Sequence, residues 1–112
     1  MAARSERVDL LPGTLDLLIL ELLRRGDLHG YGIAQQIHLR SREVLQVGEG
    51  SLYPALQRLL ERGLVAAKWR RSETGRRARF YRLTAAGEQA AGEARSEFER
   101  LVAAIRRVGE SA

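Results

Sequence analysis

One short stretch gathers the side chains with the plainest chemistry. Lys68, Arg70, Arg71, Arg76, Arg77, Arg79 and Arg82 stand there against Glu73 alone, whereas the whole chain carries a net charge of only +5. The stretch therefore holds more positive charge than the entire protein, and the remainder is close to neutral. Clustered guanidinium groups complement phosphate oxygens, and an ordinary solvated turn needs only two or three of them, so the concentration points to a nucleic-acid backbone. Other chemistry has no foothold. Cysteine is absent, which removes disulfides and thiolate metal sites, and His29 and His38 lack carboxylates at ligand spacing for a zinc site. His29, beside Gly30, reads as a turn residue bonding to nearby backbone, because no nucleophile or carboxylate partner accompanies it. With no paired carboxylates, no nucleophile–base pair and no phosphate loop, neither an enzyme, a cofactor nor a metal is expected.

A phosphate-binding stretch reads sequence only if a second element reaches the bases, and Glu49–Leu60 fits that role as a recognition helix. Ser51 is a suitable N-cap, which puts Pro54 at the third helical position, where its missing N–H is an orphan donor in any case. Leu52, Ala55, Leu56, Leu59 and Leu60 recur at the spacing of a buried face; Ser51, Pro54, Gln57, Arg58, Glu61 and Arg62 fall outside it. On this reading Gln57 and Arg58 face the bases, while Ser51, Tyr53 and Pro54 set the approach at the helix N-terminus, with Tyr31 on the same surface.

The scaffold follows from the flanking periodicities. A helix from Thr14, a candidate cap, to Arg25 ends at Gly26, with Leu15, Leu18, Ile19, Leu22 and Leu23 on its core face and a second apolar stripe at Leu17 and Leu20. A short helix over about Tyr31–Leu39 points Ile33, Ala34 and Ile37 inward, and Ser41–Gly48 is an extended link. Helix, helix, link, helix is the layout of a helix-turn-helix domain. Beyond Gly63 the period becomes two. Leu64–Ser72 and Ala78–Thr84 form a hairpin about Glu73–Arg77, a wing that carries Arg70, Arg71, Arg76, Arg77 and Arg79. A symmetric tip pairs Trp69 with Phe80 and places Leu64, Ala66, Tyr81 and Leu83 on the other face.

From Thr84, a candidate cap, a last helix runs to about Gly109. Gly87, Ala91, Ala94, Phe98, Leu101, Ile105 and Val108 alternate spacings of four and three, a heptad seam that one helix cannot bury alone. The expected partner is the same helix of a second copy, with the Leu17 and Leu20 stripe packed against it, giving a homodimer. A pocket at that joint would be lined by Leu17, Leu20, Phe98, Leu101 and Val102, all apolar; small Ala90, Ala91 and Ala94 allow either a gap or close packing between the helices, and with few polar groups to orient a ligand a closed joint is expected. The 112 residues suit one globular unit. The expected class is mainly α with a small β-hairpin (α+β): a mobile arm over residues 1–8, a winged helix-turn-helix over 9–84 and a dimerisation helix over 85–112. No apolar run reaches the roughly 18 residues of a membrane span and residues 1–8 lack the apolar middle of a signal peptide, so a cytoplasmic location is expected.

Four segments carry a resemblance as well. Leu11-Pro12-Gly13-Thr14-Leu15, His29-Gly30-Tyr31-Gly32-Ile33-Ala34, Gly50-Ser51-Leu52-Tyr53-Pro54-Ala55-Leu56 and Tyr81-Arg82-Leu83-Thr84-Ala85-Ala86-Gly87 resemble, in order, the signature segments of the PadR family of winged-helix transcriptional regulators. The resemblance implies a homodimeric bacterial regulator, usually a repressor, that binds a palindromic operator in double-stranded DNA and in many members is released by a small-molecule effector. The single carboxy-terminal helix is similar to the family's short branch. Members known for planar drug-like ligands use tryptophan on that helix; here it offers Phe98, and the only tryptophan is Trp69 in the wing. The competing reading is a winged-helix interaction module holding an acidic protein partner on the same basic surface.

Overall fold

The computed structural model describes Leu10 and residues 13–110, so the arm expected over residues 1–8 lies outside the described residues. Its first helix, α1 (Thr14–Leu23), has Gly13 as N-cap in the left-handed region at φ 85°; Thr14 is therefore the first helical residue and not the cap. Leu15, Ile19, Leu22 and Leu23 turn inward as the periodicity predicts. Leu20, expected to wait for a second copy, is only 4% exposed and belongs to the chain's own core together with Ala91.

Two residues after the turn, Leu28–His29 form a short strand, β1, and α2 (Gly30–Arg40) follows at once. His29 is the N-cap of α2: its Nδ1 accepts the Gly32 N–H at 3.0 Å, satisfying one of the orphan donors of the first turn. The first half of the link to the next helix, residues 41–44, is a turn, and Gly48 at its far end is extended. Arg42 and Glu43 both adopt positive φ, at 55° and 69°, a strained conformation for residues other than glycine. Among the bonds that hold it, the Glu43 N–H donates to His38 O at 2.8 Å, the Leu45 N–H to Ser41 Oγ at 2.9 Å, and Ser41 Oγ to His38 O at 3.1 Å.

The recognition helix α3 (Glu49–Glu61) starts two residues earlier than Ser51, with Gly48 as an N-cap that offers no side-chain bond. Pro54 thus lies inside the helix, and the Gly50 carbonyl lacks the N–H it would receive at the fourth residue on. Gly50 and Pro54 are both exposed, so water satisfies that carbonyl at small cost. Leu52, Ala55, Leu56 and Leu59 are buried as expected.

The wing strands are β2 (Val65–Arg71) and β3 (Arg77–Leu83), and with β1 they make an antiparallel sheet in the order β1-β3-β2. The register differs by one residue from the symmetric expectation: Trp69 pairs with Arg79 and Lys68 with Phe80. The tip decides this. The Ser72 N–H donates to Arg76 O at 2.7 Å and the Gly75 N–H to Ser72 O at 2.9 Å, with Gly75 at φ 87°, so the loop closes on Ser72 and Arg76. One residue of slip changes which side chains share a face. Val65 and Ala67, not Leu64 and Ala66, lie with Tyr81 and Leu83, and this same face carries Trp69, Arg71, Arg77 and Arg79 further out.

The last helix, α4 (Ala85–Glu110), is capped by Thr84, whose Oγ1 accepts the Gly87 N–H at 3.0 Å and donates to Gly63 O at 2.7 Å. Its stripe is shared between two environments. Gly87 and Ala91 are buried in the chain's own body, Ala94 is half-buried, and Phe98, Leu101, Ile105 and Val108 are exposed. Arg95 is bonded through both Nε and Nη2 to the Glu21 carboxylate, tying α4 to α1 before the helix leaves the domain. No helix among the described residues is long and apolar enough to cross a membrane.

Candidate nucleic-acid interface

The wing and the N-terminal ends of α2 and α3 enclose an open cleft of about 770 Å³. Tyr31 and Tyr53 enter it from α2 and α3, and Trp69, Arg76, Arg77 and Arg79 from the wing. Period-two alternation explains the wing's contribution, since Trp69, Arg77 and Arg79 share the face that Tyr81 anchors in the core nearer the domain. Two arginines lie over aromatic rings: the Arg77 guanidinium carbon is 5.4 Å from the Trp69 centroid and that of Arg79 is 5.7 Å from Tyr81. Stacking in this way steadies the cation and leaves its N–H edges free for an anion.

Tyr53 fixes the relation between α3 and α2. Its ring lies so close to Gly30 that a Cβ there would fall 2.6 Å from the hydroxyl oxygen and 2.8 Å from Cε1. Burial, followed by the negative charge of Glu49 and the influence of Tyr81, holds the Tyr53 hydroxyl above the ordinary phenol range, so it remains a neutral donor across physiological pH.

The remaining candidates divide. Ser51, Pro54 and Gln57 are exposed on α3, and Gln57 Nε2 donates to Glu61 Oε2 at 3.3 Å, an i,i+4 pair that leaves its carbonyl free. Arg58 does not project alone from the exposed side of α3. Its Nη2 donates to Asp16 Oδ1 at 3.0 Å, which draws the guanidinium towards α1. Arg70 is on the opposite face of the hairpin from the cleft, 4.1 Å over the Phe80 ring and bonded to Asp27 at 3.4 Å. Arg71 spends one N–H on its own turn, donating from Nη1 to Gly75 O at 2.9 Å. Trp69 is the residue that sequence reasoning left out; the correct register alone would have placed it beside the cleft arginines. Among the described residues no group of three or more His, Cys, Asp or Glu side chains is placed to hold a metal ion.

Three helices, a wing and a cationic cleft between the wing and the third helix define a winged helix-turn-helix regulator. The comparisons specify it further. Residues 19–93 match the transcriptional regulator PadR-like family, and the chain belongs to that family. It is 38% identical over 85 residues to the transcriptional regulator Rv3488 of Mycobacterium tuberculosis, covering 76% of each chain. A transcriptional regulator from Clostridium thermocellum superposes with a TM-score of 0.78 at 32% identity, over 85% of this chain and 89% of that one. A PadR family transcription regulator from Clostridium difficile superposes with a TM-score of 0.75 at 28% identity, over 86% of this chain and 98% of that one.

Proposed function

We propose that this PadR-like regulator is a cytoplasmic homodimeric repressor that binds a palindromic operator in double-stranded DNA and performs no catalysis. The observation that carries the reading is the cleft that Arg76, Arg77 and Arg79 of the wing share with Tyr31 of α2 and Tyr53 of α3, beside the exposed Ser51, Pro54 and Gln57 of α3. Arg76, Arg77 and Arg79 hold phosphates or reach the minor groove; Ser51, Tyr53 and Pro54 set the approach of α3, with Tyr31 beside them; Gln57 reads a base edge. Arg58, steadied by Asp16, and Arg71, steadied by its own turn, meet backbone at the flanks. Arg70, on the far face of the wing, contributes long-range attraction only.

The dimer is carried by the outer part of α4. Phe98, Leu101, Ile105 and Val108 form one stripe, and Val108 is 77% exposed, so apolar surface remains that a single chain cannot bury. Leu17 and Ala94, half-buried at the edge of α1 and the middle of α4, border the same joint. Leu20 and Ala91 support it from within the core rather than by direct contact. Because Leu20 is committed to the core, the joint packs closed around Phe98, Leu101 and Val102 without an effector pocket. Competition between a palindromic duplex and a scrambled duplex of equal length tests the function, since only base readout separates the two. Preference for the palindrome is the expected result; equal binding, or binding to an acidic protein and to neither duplex, overturns it.

A further inference from the structure

Trp69 has no part in the core, being 56% exposed at mid-wing, and its ring forms a wall of the cleft opposite Tyr31 and Tyr53. A single exposed ring is ordinary, but three exposed aromatic side chains lining one cleft make a contiguous apolar surface that marks an interaction site. The rim is cationic, with Arg76, Arg77 and Arg79, while Glu73 is the lone acidic residue of the lining. An occupant matched to this cleft offers negative charge to the rim and an apolar C–H face to the aromatic walls. A sugar–phosphate strand offers both, its phosphates alternating with deoxyribose rings. We infer that the cleft seats one strand of the duplex, with the Trp69 ring against a deoxyribose and Arg77, stacked on that ring, directed at the adjoining phosphate.

The inference rests on the proposed DNA-binding function and adds a contact residue to it. It also explains the pairing of Arg77 with Trp69 at 5.4 Å: the ring that meets the sugar also steadies the cation that meets the phosphate. An acidic peptide would match the rim but supplies no regular apolar face for the ring.

Trp69 is the only tryptophan, so its emission reports on the cleft without background. The full chain is titrated at low salt with a mixed-sequence duplex of about three helical turns; anisotropy of a labelled duplex reports binding and acrylamide quenching reports access to Trp69. The expected result is binding with quenching reduced severalfold. Trp69→Ala should weaken specific and random duplexes alike by about fivefold or more, the low end of an aromatic contact with nucleic acid, and Trp69→Phe should recover most of the loss. Melting of both variants should stay near the parent, because the side chain is outside the core. If the duplex binds while quenching is unchanged, or Trp69→Ala binds as tightly as the parent, the inference is wrong and the DNA reading stands. If no duplex binds, whether or not poly-glutamate shields Trp69, both fall.

Discussion

Adding one methyl group at Gly87 should destabilise the protein, and the same change five residues on, at Gly92, should do the reverse. A Cβ at Gly87 would fall 1.9 Å from the carbonyl oxygen of Leu64 and 2.8 Å from Leu83 Cδ1. Ordinary carbon–oxygen contacts lie at about 3.3 Å or more, so helix and carbonyl must separate by over an ångström. The carbonyl is not free to swing, because it accepts the Thr84 N–H at 3.1 Å, and Thr84 itself caps the helix. Overpacking of this kind costs about 1–3 kcal/mol and the disturbed hydrogen bond about 1 more, against about 1 kcal/mol gained when alanine replaces glycine in a helix. The net is a loss of about 1–3 kcal/mol, or a fall in Tm of roughly 5–15 °C for a chain of this size. A Cβ at Gly92 would meet nothing within 4 Å beyond its own stretch of helix backbone and would lie off the apolar stripe, so Gly92→Ala should keep the gain of up to about 1 kcal/mol. Urea denaturation at one fixed protein concentration measures both. Shifts of the same sign would refute the wedge of α4 against the turn before β2.

Other perturbations follow from the same contacts. Gly30→Ala should cost about 1–3 kcal/mol by driving the Tyr53 ring off α2, and the cost should largely vanish in a Tyr53→Ala background, as a double-mutant cycle in urea would show. Leu101→Arg puts an unpaired charge from each copy in the middle of the apolar stripe and should give monomer by sedimentation at micromolar concentration where the parent is dimer; a monomeric parent would end the dimer proposal. Arg76→Ala and Arg77→Ala should each weaken all duplexes alike and flatten the salt dependence by about one unit. Gln57→Ala should cost about 1–3 kcal/mol against the operator and little against random duplex, whereas Arg58→Ala should follow the arginine pattern; identical profiles for Gln57→Ala and Arg76→Ala would disprove the division of roles.

Much of the fold was legible because long periodic patterns carry it. The core faces of α1 and α3, the change to period two after Gly63, and the Thr84 cap each rest on several residues acting together. Short or distant features were not. β1 is two residues long and has no period of its own; only pairing of Leu28 with Tyr81 and of His29 with Phe80 makes it a strand. The start of α3 was hidden because Gly48 caps through backbone alone, while Ser51 and Pro54 imitate a conventional start. The wing register hung on which residue of the tip would close the loop, and it decided whether Trp69 faced Phe80 or Arg79. The charge of the wing could be counted in the sequence, yet the restraint of Arg58 by Asp16, and of Arg70 by Asp27, joins residues more than forty positions apart. The four-and-three spacing along α4 was visible in the sequence, but sequence alone did not show that its first turns would be taken up by the chain's own body.

Selection of bound duplexes from a random pool tests the central claim most directly. A dimer holding two α3 helices in successive major grooves should enrich an inverted repeat with half-site centres about 34 Å, one helical turn, or a multiple apart. Failure of any sequence to enrich, or enrichment of an isolated half-site by a chain that remains monomeric, would contradict it.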